Sequence, residues 1–251
     1  MYDVSTRKRA IALLSQGRSL NSVSRETGIS RAAIRSWQDR LEPLPRMAAP
    51  LPDPPSDRVS YSYLLGLYLG DGCISPHPRG GHYLRIACAD AWPGLIDACE
   101  AAVRTISPAH TAYRVQAVGY VSVVGYYPHW PRLFPQHGPG KKHQRRIVLE
   151  PWQQAIVNEH PWEFIRGLIH SDGCRIINWT EKTVRGERKR YEYPRYFFTN
   201  LSGDIRGLFT DTLDKLGVEW TYCTRNGIPF NISVARKASV TLMDTHVGPK
   251  Y

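Results

Sequence analysis

Two aspartates carry the chemistry open to this sequence. Asp71 and Asp172 lie 101 residues apart, and each closes a short apolar segment just before a glycine. The segments run Tyr63-Leu64-Leu65-Gly66-Leu67-Tyr68-Leu69-Gly70-Asp71-Gly72 and Phe164-Ile165-Arg166-Gly167-Leu168-Ile169-His170-Ser171-Asp172-Gly173. The spacing predicts two helices, each with Leu or Ile on one side and a small residue every fourth position. Gly66 and Gly70 then share a face, as do Gly167 and Ser171. Small residues let two backbones approach closely, so the helices are expected to pack along these strips. That packing would bring two carboxylates together. Each would sit against the negative end of its own helix dipole, at a cost of roughly 0.3–1 kcal/mol. Each would also repel the other or raise its pKa. A divalent cation removes both penalties, because an oxygen-only donor set suits magnesium or calcium. The plainer account, two buried helices whose acids face water, suits one copy better than a matched pair. Gly72 and Gly173 are expected in the left-handed conformation that ends helices. Cys73 and Cys174 behind them are expected to be packing residues.

The two segments resemble the paired motifs of the LAGLIDADG homing endonucleases. Leu64, Gly66, Leu67, Asp71 and Gly72 match the first motif, with Gly70 in its small position and Leu65, Tyr68 and Leu69 departing. Gly167, Leu168, Ile169, Asp172 and Gly173 match the second, with Ile165 and Ser171 as mild substitutions and Arg166 and His170 as departures. The resemblance covers residues 58–251. It implies an α/β (α+β) body of two pseudo-symmetric αββαββ units whose sheets form a DNA-binding saddle. It implies a monomeric, site-specific double-strand DNA endonuclease that uses Mg2+, with two or three divalent cations when DNA is bound. Asp71 and Asp172 would be the catalytic metal ligands, with Gly70 and Ser171 at the same metal site. A lysine from each half would lie near the scissile phosphates. Lys142, 71 residues after Asp71, and Lys237, 65 after Asp172, are the candidates. No His–Ser or Cys–His arrangement offers a competing nucleophile, so water is the expected attacker. Two other functions would use the same basic surface: a DNA-binding transcriptional regulator that does not cut, and an RNA maturase.

The rest of the chain must position these groups. At 251 residues it can hold two or three small domains with cores of their own. A net charge of +11 argues for a polyanionic partner. The five cysteines form no C-x-x-C pair and are odd in number, which favours free thiols over disulfides or zinc. No apolar run approaches a membrane span, and no membrane partner is expected. The expected location is the cytoplasm of a bacterium, on the nucleoid when bound.

Residues 1–42 read as three helices. Ser5 or Thr6 is expected to cap the first, over 7–16; the second spans about 20–27; Ser30 caps a third over 31–41. Ser24, Gly28, Ile34 and Trp37 have the spacing of a helix-turn-helix: a small inward residue, a turn glycine and two core anchors. The pattern resembles the trihelical units of transposases and resolvases, and would aim Arg31, Ala32 and Arg35 at bases or phosphates. Residues 43–57 hold six prolines, a linker stiffened toward polyproline II that reaches roughly 40 Å. The first unit is expected over 58–155 and the second over 156–251. Each reads helix, two strands, helix, two strands. Asp90 is expected to cap the second helix of the first unit, Ser202 with Asp204 that of the second, and Asn226-Gly227 to turn the last hairpin. Arg175, Lys182, Arg188, Lys189, Arg190 and Arg195 fall along a long hairpin of the second unit, and Arg79 and Arg85 along a shorter one in the first. A two-stranded ribbon fits the major groove, where Arg and Lys read guanine edges. Lys141, Arg145 and Arg146 complete the expected DNA-binding set, in the basic run that joins the units.

Overall fold

The computed structural model describes residues 2–39, 41, 54–78, 80–225 and 228–251. The Pro-rich linker up to residue 53, Arg79 and the Asn226-Gly227 turn lie outside the described residues. The chain divides into two compact units, residues 1–50 and 51–251.

The smaller unit has three helices: α1 (Val4–Ser15), α2 (Leu20–Thr27) and α3 (Arg31–Asp39). The cap of α1 is Asp3, not Ser5 or Thr6. Its carboxylate accepts from the Thr6 backbone N–H at 2.6 Å and so satisfies a donor that the helix leaves free. Gly28 closes α2 at φ 69°, a conformation that glycine adopts without strain. Ser24 Oγ donates to the Ile29 carbonyl at 2.7 Å and ties that turn down. Ala10, Val23, Ile29, Ile34 and Trp37 form the core, and the Arg7 guanidinium lies over the Trp37 ring at 5.3 Å.

The larger unit opens with α4 (Arg58–Asp71), capped by Asp57 through the Ser60 N–H at 2.7 Å. It therefore starts well before the motif. Every residue from Tyr61 to Leu69 is buried, so this helix is a core element on all sides. Strands β1 (Gly72–Pro76) and β2 (His82–Ala89), helix α5 (Pro93–Ile106), strands β3 (Ala112–Ala117) and β4 (Tyr120–Tyr127) and the short α6 (Trp130–Leu133) follow. The cap of α5 is Trp92 with Pro93 at the first helical position, not Asp90, which sits in the preceding turn. A loop with a single 3-10 turn (Lys142–Gln144) leads to α7 (Pro151–Glu159), then α8 (Pro161–Asp172), β5 (Gly173–Val184), β6 (Glu187–Thr199), α9 (Gly203–Lys215), β7 (Thr221–Arg225), β8 (Ile228–Val234) and α10 (Lys237–His246). Neither α7 nor α10 was expected. The capping box of Glu150 and Gln153 around Pro151 was a legible start signal for α7. Among the described residues, no helix is long and apolar enough to cross a membrane.

Two four-stranded antiparallel sheets result, ordered β1-β2-β4-β3 and β5-β6-β8-β7. The order is the same in both, as the duplication predicts. Each sheet turns one face to the helices. Ile74, Leu84, Ile86 and Val123 lie on that face of the first sheet, and Tyr196, Phe198, Ile232 and Val234 on that of the second.

Helices α4 and α8 meet along their glycines. A Cβ on Gly66 would lie 2.6 Å from the Phe164 carbonyl oxygen, and one on Gly167 2.2 Å from that of Tyr63. On Gly70 it would fall 2.1 Å from Ser171 Oγ. Gly72 and Gly173 are not left-handed: φ is −85° and −105°, extended backbone open to any residue. Glycine is required there by contact, because a Cβ would approach Tyr68 Cα at 2.6 Å and Ile169 Cα at 2.7 Å. The helices pass directly into β1 and β5 without a turn.

Candidate functional site

Because α4 and α8 end side by side, Asp71 and Asp172 face one another at the start of both sheets. A Cβ on Gly70 would lie 3.0 Å from Asp172 Oδ2, so the acid of one helix leans on the end of the other. Asp71 keeps open surface, whereas Asp172 is half-buried and accepts from Asn200 Nδ2 at 2.5 Å. Burial first, then the Asp71 charge, pushes Asp172 up to about 6. Burial by the packed helix ends also raises Asp71, against the pull of Lys142 and Lys250. Burial at both acids, and at Asp172 the Asp71 charge as well, holds the carboxylates toward their neutral forms.

Two lysines sit on the helix ends beside that pair. Lys142 Nζ donates to the carbonyls of Tyr68, Gly70 and Gly72 at 2.5, 2.7 and 2.9 Å, which places a cation on the negative end of α4. Burial pushes it down to about 8, offset by Asp172 and Asp71. In the second half the counterpart is Lys250, not Lys237. Lys250 Nζ donates to the Ser171 carbonyl at 3.0 Å; burial lowers its pKa, while Asp71 and Asp172 raise it. Lys237 sits exposed on the first turn of α10. Sequence offset could not separate them, because Lys250 follows Asp172 by 78 residues and Lys237 by 65, against 71 in the first half. Gly70 and Ser171, expected at the metal site, offer carbonyls that are already engaged by Lys142 and Lys250. The two carboxylates are the charged oxygen donors at this point, and each carbonyl keeps a second lone pair.

The departures from the motif are packing groups. His170 is buried, its Nδ1 2.9 Å from the Tyr63 hydroxyl, and burial pushes it down to about 4. Arg166 lies over the Tyr63 ring at 4.5 Å, and Tyr68 packs against Phe134 with ring centroids 4.5 Å apart. Cys73 and Cys174 are exposed and not part of the core, because buried Gly72 and Gly173 fix the strand alternation and turn the next residue out.

Strand alternation also divides the expected DNA-binding residues. Lys182 pairs with Lys189, Ile176 with Arg195 and Cys174 with Phe197, so these share the helix-free face of the second sheet. Arg195 lies over Tyr193 and Phe197 there, at 5.6 and 5.3 Å. Arg175 is on the opposite face beside Tyr196, where Asp244 of α10 accepts two hydrogen bonds from it at 2.6 and 2.9 Å. It is an internal tie. Arg188 and Arg190 also fall on that opposite face of the ribbon, and Arg190 pairs with Glu192 and covers Trp179 at 4.8 Å. Arg85 lies on the helix-free face of the first sheet, bonded to Ser75 Oγ and over Tyr83 at 4.9 Å. Arg145 is spent inside its loop on the carbonyls of Gly138, Pro139 and Gly140, while Lys141 and Arg146 are exposed. Arg31 and Arg35 are exposed on α3, opposite Ile34 and Trp37. Asn200 and Lys250 are the site residues that sequence reasoning missed. Asn200 follows β6 with no spacing signal, and Lys250 is placed by the fold alone.

No protein family matches the sequence, and no curated protein does. Among solved structures the chain is similar to the N-terminal LAGLIDADG domain of DUF199/WhiA, at 11% identity over 81% of this chain and 86% of that one, TM-score 0.47. It is similar to I-DmoI in complex with DNA and Ca, at 14% identity over 76% and 89%, TM-score 0.47. It is also similar to the homing endonuclease I-WcaI bound to its DNA recognition sequence, at 15% identity over 76% and 81%, TM-score 0.47. At these values the likenesses assign no activity, ligand or residue role to this chain.

Proposed function

We propose that this chain is a site-specific, metal-dependent double-strand DNA endonuclease. The observation that carries the reading is the pair Asp71 and Asp172 on close-packed helix ends, raised in pKa and flanked by Lys142 and Lys250. The donor set fits a hard divalent cation such as Mg2+ through the two carboxylates, with the neighbouring carbonyls held by the lysines. Such a cation would lower the pKa of an attacking water and stabilise the leaving oxygen of a phosphodiester. The protein's own groups do the rest. Asp71 and Asp172, one from each half, set the position of the centre between the two sheets. Asn200 orients the Asp172 carboxylate. Lys142 carries its proton at neutral pH despite burial, and with Lys250 offsets negative charge at the phosphates. Lys182, Lys189 and Arg195 on the helix-free face of the second sheet neutralise the duplex backbone, as does Arg85 on the first. Arg31 and Arg35 of α3 supply a second, tethered contact to the same duplex. Both acids and both lysines belong to one chain, so a single copy completes the centre.

The test is incubation of the full chain with a randomised duplex library in Mg2+ or Mn2+, followed by sequencing of new ends. Cut ends at one recurring sequence are expected, absent with Asp71→Asn. Tight duplex binding with no cutting in either metal would overturn the nuclease reading in favour of a regulator. Preference for structured RNA over duplex DNA would favour a maturase.

A further inference from the structure

The helix-free faces of the two sheets differ in chemistry although their strand order is the same. On the first, β3 and β4 align Tyr113 with Val124, Val115 with Ser122 and Ala117 with Tyr120. Tyr113, Val115 and Tyr120 keep 43%, 46% and 44% of their surface exposed, a large apolar share for a soluble sheet. The face continues across β2 through Ala87 and Arg85. Arg85 is its one cation among the described residues, and it is bonded to Ser75 and stacked on Tyr83. Gln116, the one amide on β3, belongs to the other face, opposite Val121. The same face of the second sheet also exposes Ile176 and Tyr191, but it adds three cations, Lys182, Lys189 and Arg195, against one acid, Glu187, on a ribbon twelve to thirteen residues long in each strand, against five and eight for β1 and β2.

We infer that the two sheets read chemically different halves of one duplex: the second a half recognised through phosphates and guanine edges, the first a thymine-rich half recognised through its 5-methyl groups. The inference rests on the duplex-DNA reading above. Helices α4 and α8 run straight into β1 and β5, so a duplex with its two scissile phosphates at Asp71 and Asp172 continues over both sheets. Over the second it meets charge of the opposite sign. Over the first, Arg85 apart, it meets methyls, rings and hydroxyls. Guanine edges call for Arg or Lys and adenine edges for Asn or Gln, whereas the thymine methyl is the major-groove group that an apolar surface complements. Val115 and Tyr113 stand on β3, the edge strand of that surface.

The experiment selects binding sites from a randomised duplex library with the full chain in Ca2+. Affinity is then measured for duplexes in which deoxyuridine replaces thymidine in one half at a time. Loss of roughly threefold per methyl is expected in one half and none in the other. Val115→Ser, at an exposed strand position, should remove the response to deoxyuridine. Lys189→Gln with Arg195→Gln should make the salt dependence shallower and leave that response intact. Equal responses in both halves, or a deoxyuridine response unchanged by Val115→Ser, would overturn this inference while leaving duplex binding standing. Binding to no duplex of any sequence would overturn it together with the reading on which it rests.

Discussion

The two halves of the larger unit agree closely at their helix ends and differ widely in their sheets. At the helix ends, Gly66 and Gly167 meet backbone to backbone, and a lysine bonds a carbonyl at the end of each helix. Even there one difference survives. Lys142 reaches its helix end from the loop that joins the halves and bonds three carbonyls; Lys250 reaches Ser171 from residues that pass back to the first half, where the Leu95 N–H donates to the Tyr251 carbonyl at 3.1 Å. The halves therefore share a geometry that packing enforces and diverge wherever exposed side chains are free to change. Contact between backbones tolerates no added atom, whereas a solvent-facing strand position tolerates most residues.

That contrast can be broken from its rigid side first. Gly167→Leu places side-chain atoms where the Tyr63 carbonyl stands, 2.2 Å from the Cβ. We expect a loss of about 3 kcal/mol or more, or failure to fold, read as the midpoint of urea unfolding. Val115→Leu on the exposed strand should stay within about 0.5 kcal/mol. Equal midpoints for the two variants would mean that α4 and α8 do not pack as described.

The next effect concerns chemistry. Asp71→Asn and Asp172→Asn should each lower the cleavage rate by about a thousandfold or more, with duplex affinity changed by only a few fold, since each acid is read as a metal ligand. Rates come from single-turnover cleavage and affinities from titration in Ca2+. Either variant cutting at the parental rate would remove that acid from the centre.

Smaller still is the difference between two lysines. Lys250→Met is expected to slow cleavage by about ten- to a hundredfold, because its ammonium is held at the Ser171 carbonyl, where the charges of both carboxylates act on it. Lys237→Met should stay within about twofold. The reverse order would restore Lys237 and make the contact of Lys250 with Ser171 merely structural.

The smallest effect is on stability against pH without metal. Asp172, ordinarily near 3.8, is pushed up to about 6 in the fold. Between those values the folded protein holds a proton that the unfolded chain has released. The stability due to this group is therefore full below about 3.8 and is lost as pH rises through about 6. Buried His170, held at about 4 in the fold against 6.5 unfolded, gives the opposite slope over the same range, so the readout is the comparison with a variant: in EDTA the change in Tm from pH 5 to pH 7.5 should be a few degrees more positive in Asp172→Asn than in the parent. Asp71→Asn should move it the same way in part, because the Asp71 charge is one cause of the shift. A parental slope in Asp172→Asn would assign the effect to other groups.

The sequence alone determined the duplicated helices, their small-residue faces, the two acids and the repeated strand order. Those signals are local: a glycine every fourth residue, an acid at a helix end and alternation along a strand each follow from backbone geometry. The three-helix start of the chain was legible for the same reason, although Asp3 and not a hydroxyl caps it. One local feature was also misjudged: the preceding turn of the same helix, at Tyr68 and Ile169, and not a left-handed conformation, requires Gly72 and Gly173. Tertiary structure decided what depends on distant contact. The strand register sends Arg175 to Asp244 and leaves Arg195 on the open face. Sequence distance left Lys237 and Lys250 indistinguishable, and only the path of the folded chain after α10 brings one of them to Ser171. A charge can act on a carboxylate from any position in the sequence, because the interaction depends on distance and burial in space.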